Sequence, residues 1–285
     1  MSGTVSQGIL NDRIWPLILP AAAVFLALGV GPLLWMFVIS FWRVDVFRIA
    51  PDLTLRNYID AVSLHGRALA STMALGIAVA AICTVLSIAV ATVIRFAKPR
   101  TGQILLFLVL VTLFGGYLTK IYAWKTILGN DGVINSGLLT AGIISTPIEQ
   151  LLYSPAAVIA AMVGFLLPFA VLPVAGALRA VEMIEIEAAR DLGTGPAKLF
   201  RLVILPRIRR GVIAAFLLCF CLAVGDYITP ILVGGGRTAL YGQMIAPQFG
   251  TLFNWPLGAA MGFTLVVAAL FTGAVCAALL DRVLR

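Results

Sequence analysis

Val181–Arg210 reads VEMIEIEAARDLGTGPAKLFRLVILPRIRR, and its punctuation is dense. Glu187-Ala188-Ala189 predicts the start of a helix with a small-residue face. Gly193 permits a tight turn, and Pro196 suits the first turn of a new helix, where its missing N–H costs nothing. That helix, Ala197–Val203, would expose Lys198 and Arg201 and gather Leu199, Phe200 and Val203 on one apolar side. Pro206 is expected to break it. A short amphipathic helix of this kind either lies on a membrane surface or docks into a groove on a partner.

Outward from this loop the chain turns apolar in both directions. Pro155–Ala180 precedes it and Gly211–Val233 follows, each long enough to cross a bilayer, which takes about 20 residues. Four more segments qualify: Pro16–Trp42, Ala68–Ile94, Gln103–Ala123 and Pro256–Leu280. The third is the weakest, because Gly115–Gly116 and Lys120 interrupt its outer end. Trp15, Trp35, Trp42, Trp124 and Trp255 fall at or near segment ends, as an aromatic belt requires. Six crossings put both termini on one side. If that side is the cytoplasm, the inner segments hold 13 of the 20 Lys and Arg, from Arg13, Arg95, Lys98 and Arg100 through the long loop to Arg282 and Arg285. Positive charge collects on the cytoplasmic face, so both termini are predicted inside.

Composition agrees. The 285 residues are 61% hydrophobic and 11% charged, against about 45–50% and about 25% in soluble domains. That excludes an ordinary soluble enzyme, a disordered chain and a nucleic-acid-binding domain; the net charge of +8 is explained by topology. The N-terminus has no basic run ahead of a short apolar stretch, so no cleavable signal is expected. Cys83, Cys219, Cys221 and Cys276 all lie in apolar runs and read as small buried hydrophobes, with Cys219 and Cys221 pointing apart on a helix. One histidine, His65, excludes a multi-histidine metal site and reads as a surface residue of the first outer loop. There is no phosphate-binding G-x-x-x-x-G-K-[ST] and no G-x-S-x-G, so any ATP hydrolysis falls to another polypeptide.

The loop words Glu187-Ala188-Ala189, Gly193 and Val203-Ile204-Leu205-Pro206 resemble the EAA loop of permease subunits of binding-protein-dependent ABC importers, with Val203 at the usual Ile. The resemblance is nearest to the spermidine/putrescine branch and covers about residues 15–280. It is carried by Tyr122-Ala123-Trp124 with Leu128–Asn135, by Leu167-Pro168-Phe169 and Leu172-Pro173, by Gly225–Pro230 with Val233-Gly234-Gly235, and by Gln248-Phe249 with Asn254–Ala260. Lys120-Ile121 departs from the branch, where Arg-Thr is expected. The resemblance implies an all-α integral membrane protein with the type I ABC importer fold over residues 1–285, in a bacterial inner membrane. It implies a second, different permease subunit, two ATP-binding subunits that hold ATP and Mg, and a periplasmic binding protein that delivers a polyamine. This chain would hold no cofactor. Glu187, Ala188, Ala189, Gly193, Lys198, Phe200 and Pro206 would couple it to the ATPase, with the coupling helix about Gly193–Phe200. Related permeases serve opines, phosphonates, ferric iron or thiamine, which leaves the cargo open. A stand-alone carrier or a membrane enzyme is the remaining class. No internal symmetry and no convergent polar cluster in the spans supports either.

Asp226 is the one carboxylate well inside a predicted span. An unpaired charge at mid-membrane costs about 2.5–3.5 kcal/mol on insertion scales. It therefore faces water or a partner. One role is to attract a cation on the substrate path, with Tyr227 and Thr229 beside it; the other is to cap the helix end that Pro230 disrupts. Tyr122 and Trp124 read as interfacial anchors or as an aromatic path lining. Lys120 and Lys125 are expected to snorkel to headgroups. Glu182 and Glu185 read as solvated or paired loop residues. The outer stretch Arg43–Arg67 is either a contact for the binding protein or a solvated face.

Overall fold

The computed structural model describes residues 19–45, 48–237 and 239–285; Arg13, Trp15 and Pro16, named above, lie outside them. The described residues pack as two compact units, one from residues up to 64 with 245–264, the other from residues 65–244 with 265–285.

In the first unit, α1 (Leu19–Ile39) is long and apolar enough to cross a membrane. It exposes nearly every side chain, from Leu19 to Val38, and buries Ile39. A short antiparallel hairpin follows, β1 (Arg43–Asp45) on β2 (Arg48–Ala50), then α2 (Arg56–Ser63). Asn57 ties α2 to the end of α1 by donating to the carbonyls of Ser40 and Trp42, each at 2.8 Å. The Tyr58 and Ser40 hydroxyls meet at 2.7 Å. The charges of the outer stretch form exposed pairs, Arg43 with Asp45 and Arg56 with Asp60.

The second unit is built on three long helices, α3 (Gly66–Phe96), α7 (Pro155–Arg179) and α9 (Pro196–Gly225), which pack most extensively on one another. Lipid offers no hydrophobic drive for helices to associate, so close approach has to come from small residues. These are present where the helices cross. A Cβ on Gly76 would stand 2.7 Å from a methyl of Val224, and one on Gly211 2.5 Å from the Ala177 Cβ. Cys83 and Cys219 are fully buried there, as expected, and their thiols point at the α7 carbonyls of Val163 and Leu166. Cys221 corrects the expectation: it is exposed, because the same periodicity that buries Cys219 turns it outward. Cys276 is half-buried. His65, at the N-cap of α3, is intermediate in exposure.

The third expected span is not straight. Helix α4 (Pro99–Phe114) stops at Gly115–Gly116, whose backbone is extended, and α5 (Tyr117–Leu128) with α6 (Val133–Thr140) leaves at an angle of 101°. Two glycines in sequence give up helical backbone easily, and the chain bends there. The fifth span is also revised. Pro206 does not break the helix; α9 runs unbroken from Pro196 to Gly225, and only then does the chain break, before α10 (Ile228–Val233). The reason is a wide π turn at Phe200–Ile204, where the Leu205 N–H reaches back to the Phe200 carbonyl. That extra residue absorbs the proline. Helix α1 repeats the device: a π turn at Leu26–Val30, closed by Gly31 N–H on Leu26 O, directly precedes Pro32. The loop helix α8 spans Met183–Asp191, so Glu187-Ala188-Ala189 sits in its second half rather than at its start. The remaining helices are α11 (Tyr241–Phe249) and α12 (Trp255–Val283). Helices α1, α3, α7, α9 and α12 are each long and apolar enough to cross a membrane, and the bent segment α4 to α6 is a sixth candidate span.

Candidate functional site

Helix α9 ends because Asp226 adopts an extended backbone. Its carboxylate then organises the break. One oxygen accepts the N–H groups of Ile228 and Thr229, both at 3.0 Å, so it caps the first turn of α10. The other accepts the Thr229 hydroxyl. Across the unit, Tyr117 at the start of α5 donates its phenol O–H to the same carboxylate at 2.5 Å and meets the Thr229 hydroxyl at 3.1 Å. Two interrupted helices, α4–α5 and α9–α10, are thus joined at one acid. The capping role of Asp226 is realised.

Beside this knot opens a cavity of about 340 Å³, lined by Tyr117, Phe165, Cys221, Asp226, Tyr227 and Ile228 among others. Its walls are mostly apolar and aromatic with one carboxylate. Phe165 stacks edge-on against Tyr117, ring centroids 5.0 Å apart. Tyr227 is 42% exposed and free to face the cavity, while Thr229 is buried at 1%. Lys120 does not snorkel outward. Its ammonium donates to the Thr112 carbonyl, satisfying the end of α4, and lies 5.3 Å from the Phe165 ring centroid. The bend at Gly115–Gly116 supplies the reason: it opens α4 carbonyls within the reach of that side chain.

Of the path residues expected from sequence, Asp226, Tyr227 and Thr229 come together, and Tyr122 and Trp124 do not join them. Tyr122 is exposed on the outer side of α5. Trp124 packs against α7, its indole so close to Gly164 that a Cβ there would stand 2.6 Å from Nε1. Tyr117 and Phe165 were missed. Tyr117 lies 109 residues from Asp226, and the only sequence signal for it is its position one residue after the glycine pair.

The coupling residues lie on the α8–α9 turn. Gly193 has φ +75, and the Gly193 and Thr194 N–H groups close on the Arg190 and Ala189 carbonyls, a Schellman stop. Pro196 takes the first helical turn. Glu187, Ala188, Gly193 and Lys198 are exposed, Ala189, Phe200 and Pro206 half-buried, and Leu199 buried, so the turn offers a surface while its apolar side holds it to the core. Glu185 on α8 pairs with Arg207 on α9, and Arg209 meets Asp281 of α12. Glu182 is exposed with no ion pair among the described residues.

The chain thus combines several membrane-length helices, a cavity at two broken helices and an exposed turn between α8 and α9. Residues 103–285 match the family described as binding-protein-dependent transport system inner membrane component, and the chain belongs to that family. It is 34% identical over 226 residues to the spermidine/putrescine transport system permease protein PotB of Escherichia coli K12, covering 79% of this chain and 82% of that one. It is 30% identical over 273 residues to the inner membrane ABC transporter permease protein YdcU of the same organism, covering 87% and 86%. The crystal structure of a bacterial ABC transporter involved in import of the acidic polysaccharide alginate superposes with a TM-score of 0.79 at 15% identity, over 99% of this chain and all of that one. The fold is therefore that of an ABC importer membrane domain, in a multi-pass inner-membrane protein.

Proposed function

We propose that residues 1–285 form one half of the translocation path of an ATP-driven importer of polyamines, with the type I importer fold. The observation that carries the cargo is the cavity at Asp226: one carboxylate set among Tyr117, Phe165 and Tyr227 suits a flexible chain with several ammonium groups. The PotB relatives support the same cargo. The other half of the path is a second, different permease. A periplasmic binding protein delivers the polyamine, and two ATP-binding subunits hold ATP and Mg. This chain binds no cofactor and catalyses no reaction.

Motion enters through the turn at Glu187, Ala188, Ala189, Gly193, Lys198, Phe200 and Pro206, seated in a groove on the ATPase. ATP favours one state of the ATPase pair, and α9, continuous from that turn to Asp226, carries the shift to the cavity. Asp226 draws the cation, Tyr227 and Thr229 flank it, and Tyr117 holds the carboxylate. Tyr122 and Trp124 keep a supporting role on α5. Both termini lie in the cytoplasm.

The test is reconstitution of the four kinds of subunit in liposomes. Uptake of labelled spermidine that needs ATP and the binding protein is expected. Uptake of 2-aminoethylphosphonate in its place, the cargo in the name of a 27% identical permease of Salmonella choleraesuis, would overturn the polyamine assignment.

A further inference from the structure

A second cavity, of about 300 Å³, lies away from Asp226, between the end of α3 (Ile94, Arg95), the first turns of α4 (Gly102, Gln103) and the last turns of α7 (Ala175, Arg179). Its charge is wholly positive. Neither Arg95 nor Arg179 takes part in any ion pair among the described residues. Arg95 Nε is, among the described residues, the one buried side-chain polar atom without a hydrogen-bond partner. The rest of that guanidinium is held in place: one Nη donates to the Val181 carbonyl at 3.5 Å, and its carbon lies 5.8 Å from the Phe96 ring centroid. A buried donor left unserved is costly, and native structures give such groups a partner.

The rest of the cavity fits an anion. The first turn of α4 has no acidic residue and no side-chain cap, so its N–H groups favour negative charge. Lys98 and Arg100 stand exposed beside it. The wall is tightly packed, since a Cβ on Gly102 would stand 2.4 Å from the Ile94 carbonyl oxygen.

We propose that this cavity binds the phosphate of an acidic lipid headgroup at the membrane boundary. Membrane lipid is favoured over soluble phosphate because the arginines share the cavity with Ile94 and Leu106, and because the outer face of α4 beyond it is exposed and apolar at Ile104, Phe107, Leu108 and Val111. Acyl chains have a surface to lie on directly below the headgroup. The inference rests on the membrane-spanning reading of α3, α4 and α7 and not on the cargo.

The test is native mass spectrometry of the assembled transporter in neutral detergent, titrated separately with phosphatidylglycerol, phosphatidylcholine and inorganic phosphate. A retained phosphatidylglycerol adduct is expected, weakened about fivefold by Arg95→Gln and about 30-fold by Arg95→Gln with Arg179→Gln, from the usual contribution of a basic residue near an anionic surface. Leu106→Trp fills the cavity while keeping both charges and should remove the adduct as well, so an assembly defect of the arginine variants does not decide the outcome. Equal retention of phosphatidylcholine would overturn the proposal, as would an adduct indifferent to both kinds of variant. Displacement by inorganic phosphate at the same concentration would overturn the lipid source. Spermidine uptake is a separate readout, so failure here and failure of the transport reading are distinguishable.

Discussion

Asp226 separates charge from shape. Asparagine caps helices about as well as aspartate, so Asp226→Asn keeps an oxygen for the Ile228 and Thr229 N–H groups and removes the charge, while its amide nitrogen, a donor, takes the place of the oxygen that accepts the Thr229 hydroxyl. The complex should assemble normally, and spermidine uptake at low concentration should fall about tenfold, the lower end of electrostatic focusing effects. Unchanged uptake would leave the acid a purely structural role. Tyr117→Phe removes a hydroxyl hydrogen-bonded to a carboxylate, a contact worth about 1.5–3 kcal/mol. The break between α9 and α10 should loosen, seen as faster amide exchange at Ile228 and Thr229. Gly193 lies at φ +75 with open space where a Cβ would go. Gly193→Ala therefore carries only backbone strain of about 1–2 kcal/mol, and Gly193→Asn less. If the turn seats on the ATPase, spermidine imported per ATP should drop in the order Gly, Asn, then Ala.

At the scale of elements, the π turn before Pro206 sets how the loop turn faces relative to the membrane part of α9. One extra residue rotates everything beyond it by about 100°. Pro206→Ala permits regular α-helix and would swing Lys198 and Arg201 away from their present side. The expected result is preserved ATP hydrolysis with less spermidine moved per ATP; an unchanged ratio would show that the turn's facing is immaterial. These elements also mark how far sequence reading reached. The apolar runs gave α3 and α7 to within a few residues, because unbroken hydropathy is a local property. Schellman glycine and Pro196 were legible for the same reason. The fate of Pro206 was not, since a proline breaks a helix or is absorbed by a π turn according to packing that no local pattern encodes. Nor was the Tyr117–Asp226 contact, which depends on two helix breaks meeting in space.

At the scale of the molecule, stability rests on how closely α3, α7 and α9 approach. Gly76→Val drives a side chain into Val224 and Phe220 and should cost about 1–3 kcal/mol, read as a lower melting temperature of the purified chain. The same mutation leaves the exposed loop turn untouched, so ATPase binding should survive at temperatures where the fold does. The exposed apolar faces of α1 and of α12, including Leu28, Leu33, Val267 and Phe271, are what a membrane would cover.

The knot at Asp226 bears on how long anything stays there. The phenol and two amides crowd one oxygen of the carboxylate, while the Thr229 hydroxyl takes one of the two lone-pair positions of the other. A passing ammonium gains attraction at a distance but meets a single vacant acceptor position where a free carboxylate would offer several, so residence is brief. Such an acid behaves as a turnstile, where an open one would be a trap.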